Sequence, residues 1–239
     1  MKTKLLYAVI LLLSIETNAQ FLKPGDQAIL YQRVRPYRNL YKYTLVDKKG
    51  KKLEELVGED VIKIDTASGQ LIRVQNCLLP DFILEDTAIS ELSTLRPIRM
   101  TSHFLPYADY MRFQYDGNKA YASTLRKGVQ KDTVNIMPDG YFDSNLQSYL
   151  ITLIDYAKTK KLSFYGYNFE IGGKYLCVVD LLRKDVLTIK GVKRNVYVVR
   201  TTDKLKGLTT YNWIDQKDAT LLKGRMVFSN GDSYRIELL

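Results

Sequence analysis

Apolar and polar residues alternate with a period of two through much of this chain. The alternation is clearest in five runs: Tyr41–Leu45, Ile72–Gln75, Met111–Tyr115, Tyr165–Ile171 and Tyr234–Leu238. Such spacing directs one set of side chains to a core and the other to water, as in half-buried antiparallel strands. The period therefore restricts the chain to a mainly β fold. It also predicts that the polar members of the runs, such as Arg73 and Arg112, face solvent.

Turn residues separate the alternating runs. Asp116-Gly117 and Asn230-Gly231 supply residues that tolerate the positive φ angles of tight hairpin turns. We therefore predict β-hairpins at Met111–Thr124 and Gly224–Leu239. Two further apolar runs lack the alternation and predict strands that are buried on both faces: Tyr175–Leu182 and Val196–Arg200.

One segment has helical periodicity instead. Its apolar residues recur at helical spacing: Leu146, Tyr149, Leu150, Leu153, Ile154 and Ala157. Ser144 followed by Gln147 resembles a capping box, which predicts a helix over residues 144–158. A single sheet must cover its apolar face, and this helix is available to do so. We predict a curved antiparallel sheet or half-barrel wrapped over the one helix, in a single domain of residues 20–239.

The first 19 residues resemble a secretory signal peptide. Two lysines precede an apolar run, Leu5–Ile15, that is too short to span a bilayer, and Ala19 offers a small residue for cleavage. We therefore expect export and a soluble mature protein in the periplasm or at the outer envelope. No cysteine lies near the predicted cleavage site, so a lipid anchor is not expected.

The chain is basic. Its formal net charge is +10, and cleavage after Ala19 would lower this to +9 because two lysines and one glutamate are removed. The basic residues form separate clusters: Arg33 to Arg38, Lys48 to Lys52, Lys158 to Lys161, and Lys190 to Arg194. For an exported protein an anionic membrane surface is a more natural partner than nucleic acid, which we do not expect. The alternative is that the charge only maintains solubility.

Residues for metal or nucleophilic chemistry are sparse. The single histidine, His103, and the two cysteines, Cys77 and Cys177, do not have the spacing of a zinc site, so we predict neither a metal site nor a cofactor. The chain contains no nucleophile elbow and no phosphate-binding glycine loop, which favours a protein that is not an enzyme. His103 is interpreted as a strand or surface residue. The cysteines form either a disulfide or two buried free thiols.

Tyrosine is unusually frequent, with 18 copies. Tyrosine stripes line a carbohydrate groove or the mouth of an apolar cavity in some proteins, and form amphipathic edges of a core in others. Trp213, the only tryptophan, either closes the core beside the last hairpin or sits at a ligand entrance. The candidate ligand-binding residues are aromatic or apolar: Trp213, Tyr165, Tyr167, Phe169, Leu150 and Ile154.

Short motifs in the last third of the chain resemble a periplasmic family of unknown function. They are Gly172-Gly173-Lys174-Tyr175, Tyr211-Asn212-Trp213-Ile214-Asp215, Leu221-Leu222-Lys223, Asn230-Gly231-Asp232 and Ile236-Glu237-Leu238. Leu95–Arg99 resembles a leucine–proline–isoleucine–arginine strand of the same family, with Arg96 as an additional residue. These proteins are similar in outline to the lipoprotein carriers of the LolA/LolB type. The resemblance implies a half-barrel folded over a helix with an apolar cavity, and it implies no catalytic residues.

These observations together predict a non-enzymatic exported protein that binds a lipid, an acyl chain or a lipoprotein in an apolar cavity. Two alternatives stay open. The first is a protein-interaction scaffold of an envelope assembly that uses edge strands or its tyrosine-rich face. The second is a secreted glycan-binding protein that stacks sugars on tyrosines.

Overall fold

Strands make up most of the chain, as the alternation predicts. The computed structural model describes residues 20–78, 83–105, 109–137, 140–168, 173–205 and 207–239. In chain order the strands are β1 (Gln20–Phe21), β2 (Tyr37–Val46), β3 (Lys52–Asp65), β4 (Gln70–Leu78), β5 (Ile83–Glu91), β6 (Pro97–Leu105), β7 (Tyr110–Asp116), β8 (Lys119–Arg126), β9 (Val129–Ile136), β10 (Tyr141–Asp143), β11 (Lys161–Asn168), β12 (Gly173–Ile189), β13 (Val192–Asp203), β14 (Leu208–Asp215), β15 (Leu221–Val227) and β16 (Ser233–Leu238).

The described strands form one continuous sheet. Its order is β1, then β11 to β16, then β2 to β9, with β10 also paired to β11. Neighbouring strands are antiparallel except at β11, where β1 and β10 pair in parallel. Strand β2 lies between β16 and β3, so it joins the two halves of the sheet. The sheet is strongly curved and is not closed into a barrel, which confirms the predicted fold class.

Both predicted hairpins are present. Strands β7 and β8 pair from Tyr110 and Leu125 to Asp116 and Lys119, and strands β15 and β16 pair in the same way around the second turn. The φ angle is +55° at the glycine that follows Asp116 and +91° at Gly231. Glycine adopts this region without the steric cost that a side chain would add.

The predicted helix is shorter than expected. It consists of a 3₁₀ turn at Ser144–Leu146, an α-helix, α1, at Gln147–Leu150, and a second 3₁₀ turn at Ile151–Leu153. We call residues 144–153 the helical segment. The residue that caps it is Asp143 rather than Ser144, because the carboxylate of Asp143 accepts a hydrogen bond of 2.7 Å from the N–H of Asn145. The predicted capping box is therefore wrong by one residue.

The helical segment ends at Leu153 because the following backbone pairs with a distant part of the chain. The carbonyl of Leu153 accepts a hydrogen bond of 2.8 Å from the N–H of Leu30. Ile154 is extended and forms an antiparallel bridge with Ile29. These contacts replace the further helical turn that the periodicity predicts to residue 158. Ala157, predicted on the buried face of that turn, is exposed.

The helical segment packs against the sheet as predicted. Leu146, Leu150 and Leu153 are fully buried. They belong to a main core that takes side chains from β3, β4 and β10 to β14: Ile62, Leu71, Phe142, Phe164, Cys177, Val199 and Ile214. The interior of the curved sheet is thus filled by side chains of the helical segment.

Strand β4 corrects one prediction about which residues face solvent. Leu71 and Arg73 are 0% and 3% exposed, whereas Ile72 and Val74 lie on the opposite face. The period of two is confirmed for this strand, but its phase is reversed. Arg73, predicted to face water, is buried because the carboxylate of Asp60 on β3 compensates its charge.

The middle of strand β13, residues 196–199, is buried on both faces, as predicted for the run Val196–Arg200. Val199 belongs to the main core, while Val196 and Val198 pack with Leu222 in a separate cluster on the outer face. The same prediction is wrong for Tyr175–Leu182, where buried and partly exposed residues alternate along β12.

The predicted signal peptide, residues 1–19, lies outside the described residues. Of the helices in the described ranges, none is long and apolar enough to cross a membrane.

Candidate ligand-binding cleft

A cleft of about 880 Å³ opens across strands β5 to β9. It lies on the face of the sheet that is opposite to β10 and β11. Arg112 and Gln114 line the cleft, and they alternate along β7 with the buried Met111, Phe113 and Tyr115. The face that carries Arg112 and Gln114 is the outer face of the sheet, and it is concave here because the sheet is twisted and curved.

Two neighbouring rows of side chains cross all five strands and line the cleft. The first row is polar: Thr87, Thr101, Arg112, Ser123 and Asp132. The second row is mixed: Ile89, Arg99, Gln114, Tyr121 and Val134. Opposite residues on neighbouring strands have Cβ atoms about 5 Å apart. A ligand along the cleft would thus contact a polar row and a mixed row at once.

Two arginines make the cleft cationic. Arg99 and Arg112 lie on adjacent strands in adjacent rows. Within the described ranges neither forms an ion pair with a carboxylate. The guanidinium of Arg112 lies 4.4 Å from the ring centre of Tyr110, a cation–π contact that orients it. Guanidinium groups bind carboxylate and phosphate oxygens well because their donors match that geometry.

His103 lies on β6 and also lines the cleft. Ser123 lies on β8, so β7 separates the two residues, and their backbones are roughly 10 Å apart at the usual strand spacing. A nucleophile and its base need a separation of about 3 Å. In the register, Ser123 instead lies opposite Arg112 on β7 and Asp132 on β9. The interpretation of His103 as a strand residue is confirmed, whereas its position in a cleft was not predicted.

The other face of the cleft strands is held by a second core. Met100, Met111 and Phe113 pack there with Tyr141 and Tyr167, which come from β10 and β11. The rings of Phe113 and Tyr167 meet edge to face at 5.6 Å. This packing gives the floor of the cleft a rigid support.

A buried carboxyl ties the same floor to the helical segment. Asp143 is 1% exposed, and its carboxylate accepts hydrogen bonds from the hydroxyl of Tyr115 on β7 and from the N–H of Asn145. Loss of solvation raises the pKa of Asp143 to about 6, against the opposing effect of these two hydrogen bonds. Burial beside this carboxylate also raises the pKa of Tyr115.

The residues that the sequence suggested as ligand contacts lie elsewhere. Leu150 and Ile154 are fully buried in the main core, and Tyr167 is fully buried in the second core. Tyr165 is half-buried, with its ring 4.9 Å from that of Phe21. The structure thus places these four candidates in packing contacts.

The two remaining candidates differ in their positions. Phe169 lies outside the described residues. Trp213 is half-buried on the outer face of β14, beside a shallow depression of about 310 Å³. It does not line the cleft across β5 to β9.

Sequence reasoning missed the arginines of the cleft because alternation assigns polar positions on a strand to solvent. Arg112 and Gln114 were recognised as the polar members of their run, and Arg99 as part of a family-like motif. The period of two does not tell a concave outer face from a convex one. The pairing of five strands was needed to show that these residues share a cleft.

Both cysteines carry free thiols. Cys177 is buried, and burial raises its pKa and that of Cys77. Of the two alternatives that the sequence left open, the structure has the free thiols. No group of three or more histidine, cysteine, aspartate or glutamate residues is arranged to hold a metal ion in the part of the chain that is described.

A family model matches residues 52–238, which is most of the chain. The chain belongs to the DUF3108 family of proteins of unknown function. The match begins at the first residue of β3 and ends at the last residue of β16, so all five cleft strands of this DUF3108 member lie inside it. The predicted membership of a family of unknown function is thereby confirmed. No curated protein matches this sequence.

Solved structures similar to this DUF3108 member include three proteins, and the first of them resembles it in fold. A β-barrel-like protein of the DUF1849 family from Brucella abortus has a TM-score of 0.60 at 12% identity, over 87% of this chain and 97% of the other. The hypothetical lipoprotein YmcC from Escherichia coli has a TM-score of 0.33 at 10% identity, over 90% of this chain and 89% of the other. A DUF1329 protein from Desulfovibrio piger has a TM-score of 0.31 at 10% identity, over 88% and 87%.

Proposed function

We propose that this protein is an exported, non-enzymatic carrier of the periplasm or outer envelope. Its ligand is a lipid or lipoprotein acyl chain with an anionic end group, held in the cleft across β5 to β9. One observation carries the proposal: the cleft combines two arginines, Arg99 and Arg112, with the apolar side chains of Ile89, Tyr121 and Val134.

The arginines suit the anionic end of such a ligand. Arg99 and Arg112 line the cleft without carboxylate partners among the described side chains, so their donors are available to an incoming carboxylate or phosphate. Charge-assisted hydrogen bonds of this kind are stronger than neutral ones. The cation–π contact of Arg112 with Tyr110 holds one of the two guanidinium groups in place before a ligand binds.

The apolar members of the mixed row suit the chain of such a ligand. Tyr121 and Val134 are 41% and 56% exposed and lie opposite each other on β8 and β9, whereas the buried Ile89 lies at the other end of the row, on β5. Covering them with an acyl chain removes apolar surface from water, at about 0.8 kcal/mol for each CH₂ group buried. The volume of about 880 Å³ is within the range of small-molecule sites, about 300–1,000 Å³.

Export is supported by the basic and apolar composition of residues 1–19. The intact mass of protein purified from cells that express the full coding sequence tests export: it should correspond to a chain that begins at Gln20. A mass that includes residues 1–19 would overturn this part of the proposal.

Titration with palmitate below its micelle concentration, followed by native mass spectrometry, tests the cleft. Replacement of both arginines, Arg99→Gln with Arg112→Gln, should weaken palmitate binding by about tenfold or more, because two charge-assisted contacts are lost. The matched control replaces two exposed arginines at another place in the sheet, Arg225→Gln with Arg235→Gln. This control should bind palmitate as the unmodified protein does. Equal binding by the cleft variant, or no binding by the unmodified protein, would overturn the proposal.

A second candidate function rests on the edge strand β9. Only its β8 side is paired within the described residues, and it exposes Val129, Val134 and Ile136 by 68%, 56% and 69%. An open edge with apolar side chains can add a strand from a protein partner. In that case Val129→Lys with Ile136→Lys would abolish the crosslinking of a defined partner and leave palmitate binding unchanged.

A further inference from the structure

The outer face of β14 to β16 carries cations that oppose each other. Arg225 lies directly opposite Arg235 in the β15–β16 pairing, an arrangement that costs stability because the charges repel. Both are exposed. Lys223, two residues before Arg225 on β15, lies opposite Trp213 on β14, with its ammonium 5.5 Å from the indole ring. We call these four residues the Trp213 patch.

The positive charge of the Trp213 patch is not neutralised from within the described part of the molecule. Arg225, Arg235 and Lys223 take part in none of its ion pairs. The nearby carboxylate of Glu237 pairs with Lys42 at 3.3 Å. A shallow depression of about 310 Å³ between these side chains is thus lined by an excess of cations.

A basic and apolar hairpin arm continues this surface. The last pairing between β13 and β14 joins Val196 to Asp215. Beyond that point β13 is paired with β12 alone, and the two strands form the arm. On the outer face of the arm, Leu187 and Ile189 pack against the Val196 cluster, which Trp213 also contacts. At the tip Val192 is 54% exposed.

The tip of the arm also adds charge. Lys190 and Lys193 are exposed and form no ion pair in the described ranges. Arg194 is paired with Asp215 at 3.3 Å. Within the cluster Lys190 to Arg194, Lys193 has the strand phase of Tyr197 and Val199 and lies on the inner face of the arm. Lys190, in the turn at the tip, therefore adds the unpaired charge at this end of the outer surface.

We infer that the Trp213 patch and the tip of the β12–β13 arm form a docking surface for an anionic phospholipid bilayer. The unpaired cations complement the negative potential of such a membrane. The half-buried indole of Trp213 and the exposed Val192 suit the boundary between headgroups and acyl chains, where tryptophan is enriched. A soluble polyanion would use the cations alone and would gain nothing from these apolar groups.

The docking surface is separate from the ligand cleft. In sheet order β2, β3 and β4 lie between β16 and β5, so no strand belongs to both. The inference goes beyond the proposed carrier function and does not depend on it. Each can therefore fail without the other.

Vesicle sedimentation tests the docking surface with protein produced from its full coding sequence and checked by mass. The protein should pellet with vesicles of phosphatidylcholine and phosphatidylglycerol, and much less with phosphatidylcholine alone or in high salt. Arg225→Glu with Arg235→Glu should weaken this binding by about tenfold or more. The matched control, Lys119→Glu with Lys131→Glu on β8 and β9, should bind as the unmodified protein does. Equal binding to both kinds of vesicle, or full binding by the Arg225 and Arg235 variant, would overturn the inference.

Intrinsic fluorescence gives a test that needs no variant, because Trp213 is the only tryptophan. Vesicles of anionic lipids brominated in their acyl chains should quench its emission, and unbrominated vesicles should shift the emission to shorter wavelength. If the protein still pellets with vesicles but brominated lipids do not quench Trp213, the membrane contact lies elsewhere and the inference is overturned. Binding to heparin that competes fully with vesicles, together with unchanged emission, would instead indicate a polyanion site.

Discussion

Arg73 and Asp60 form a bidentate ion pair in the interior of the molecule, with Nε–Oδ1 and Nη2–Oδ2 distances of 2.8 Å each. The guanidinium also donates to the hydroxyl of Ser148 at 2.7 Å, and the hydroxyl of Tyr37 donates to Asp60 at 2.9 Å. One arginine therefore links β2, β3, β4 and the helical segment. Its partner's charge raises the pKa of Arg73 and offsets the cost of burying it.

Removal of Arg73 should destabilise the fold strongly. Arg73→Met leaves the carboxylate of Asp60 buried without a cation, which typically costs about 3–5 kcal/mol of unfolding free energy. The control breaks the pair between Arg38 and Glu59, in which the arginine side chain is 76% exposed; Arg38→Met should cost less than about 1 kcal/mol. Urea unfolding measures both. Similar losses in the two variants would contradict the structural role of the buried pair.

Asp143 should make stability depend on pH. Its pKa is raised to about 6 in the folded protein, above about 3.9 in the unfolded chain, so folding favours the protonated form. This stabilisation is complete below about pH 4 and is lost as the pH rises through 6, with an amplitude on the order of 2–3 kcal/mol. Asp143→Asn should remove that dependence, as measured by urea unfolding at pH 4, 5.5 and 7.

The hydrogen bond from Tyr115 gives a check on the same carboxyl. The hydroxyl of Tyr115 lowers the pKa of Asp143, so Tyr115→Phe should raise this pKa further and move the loss of stability to higher pH. An Asp143→Asn protein with the same pH profile as the unmodified one would show that this carboxyl is not the titrating group.

Gly166 on β11 should tolerate no side chain. A methyl group there would lie 2.3 Å from the ring carbon Cζ of Tyr175, whose hydroxyl donates to Gln147 of the helical segment at 2.5 Å. Gly166→Ala should therefore displace the ring and cost roughly 1–3 kcal/mol. Gly173→Ala on β12, where the added methyl group would meet nothing within 4 Å, is the matched control. Thermal unfolding that shows equal stability for the two variants would contradict this packing.

A charge at an apolar position in the mixed row of the cleft should weaken ligand binding without unfolding the protein. Val134 lines the cleft and is 56% exposed, so Val134→Asp should reduce palmitate affinity about tenfold by placing a carboxylate beside the acyl chain. Ile136, two residues along β9, is 69% exposed and outside the cleft lining. Ile136→Asp should leave the affinity unchanged. Equal effects of the two substitutions would point to the β9 edge rather than the cleft.

Much of the architecture follows from local sequence signals. Alternation located the strands, and Asp116-Gly117 and Asn230-Gly231 located two hairpins, because these features act between residues that are close in the chain. The helical periodicity found the one segment that covers the sheet. This periodicity predicts helix to residue 158, but the helical segment ends at Leu153. The carbonyl of Leu153 accepts a hydrogen bond from the N–H of Leu30, which is far away in sequence.

Residues that depend on distant partners escaped prediction. Arg73 and Ile72 alternate as expected, but only the position of Asp60 on the next strand decides which of them turns inward. The arginines of the cleft share a site only after five strands are aligned in register. The sequence predicts apolar and aromatic residues as ligand contacts. In the structure two of these residues, Leu150 and Ile154, are fully buried and fill the interior.

The position of β2 has a consequence for any attempt to isolate the family region. The match to the family begins at residue 52, whereas β2 ends at Val46 and lies in the middle of the sheet. A fragment trimmed to that boundary would lose the strand that hydrogen-bonds to both β16 and β3, and its two halves would be joined by no backbone ladder at that point. The region that the family model matches and the complete sheet thus have different N-terminal limits, and expression should start no later than Leu22, whose side chain is fully buried.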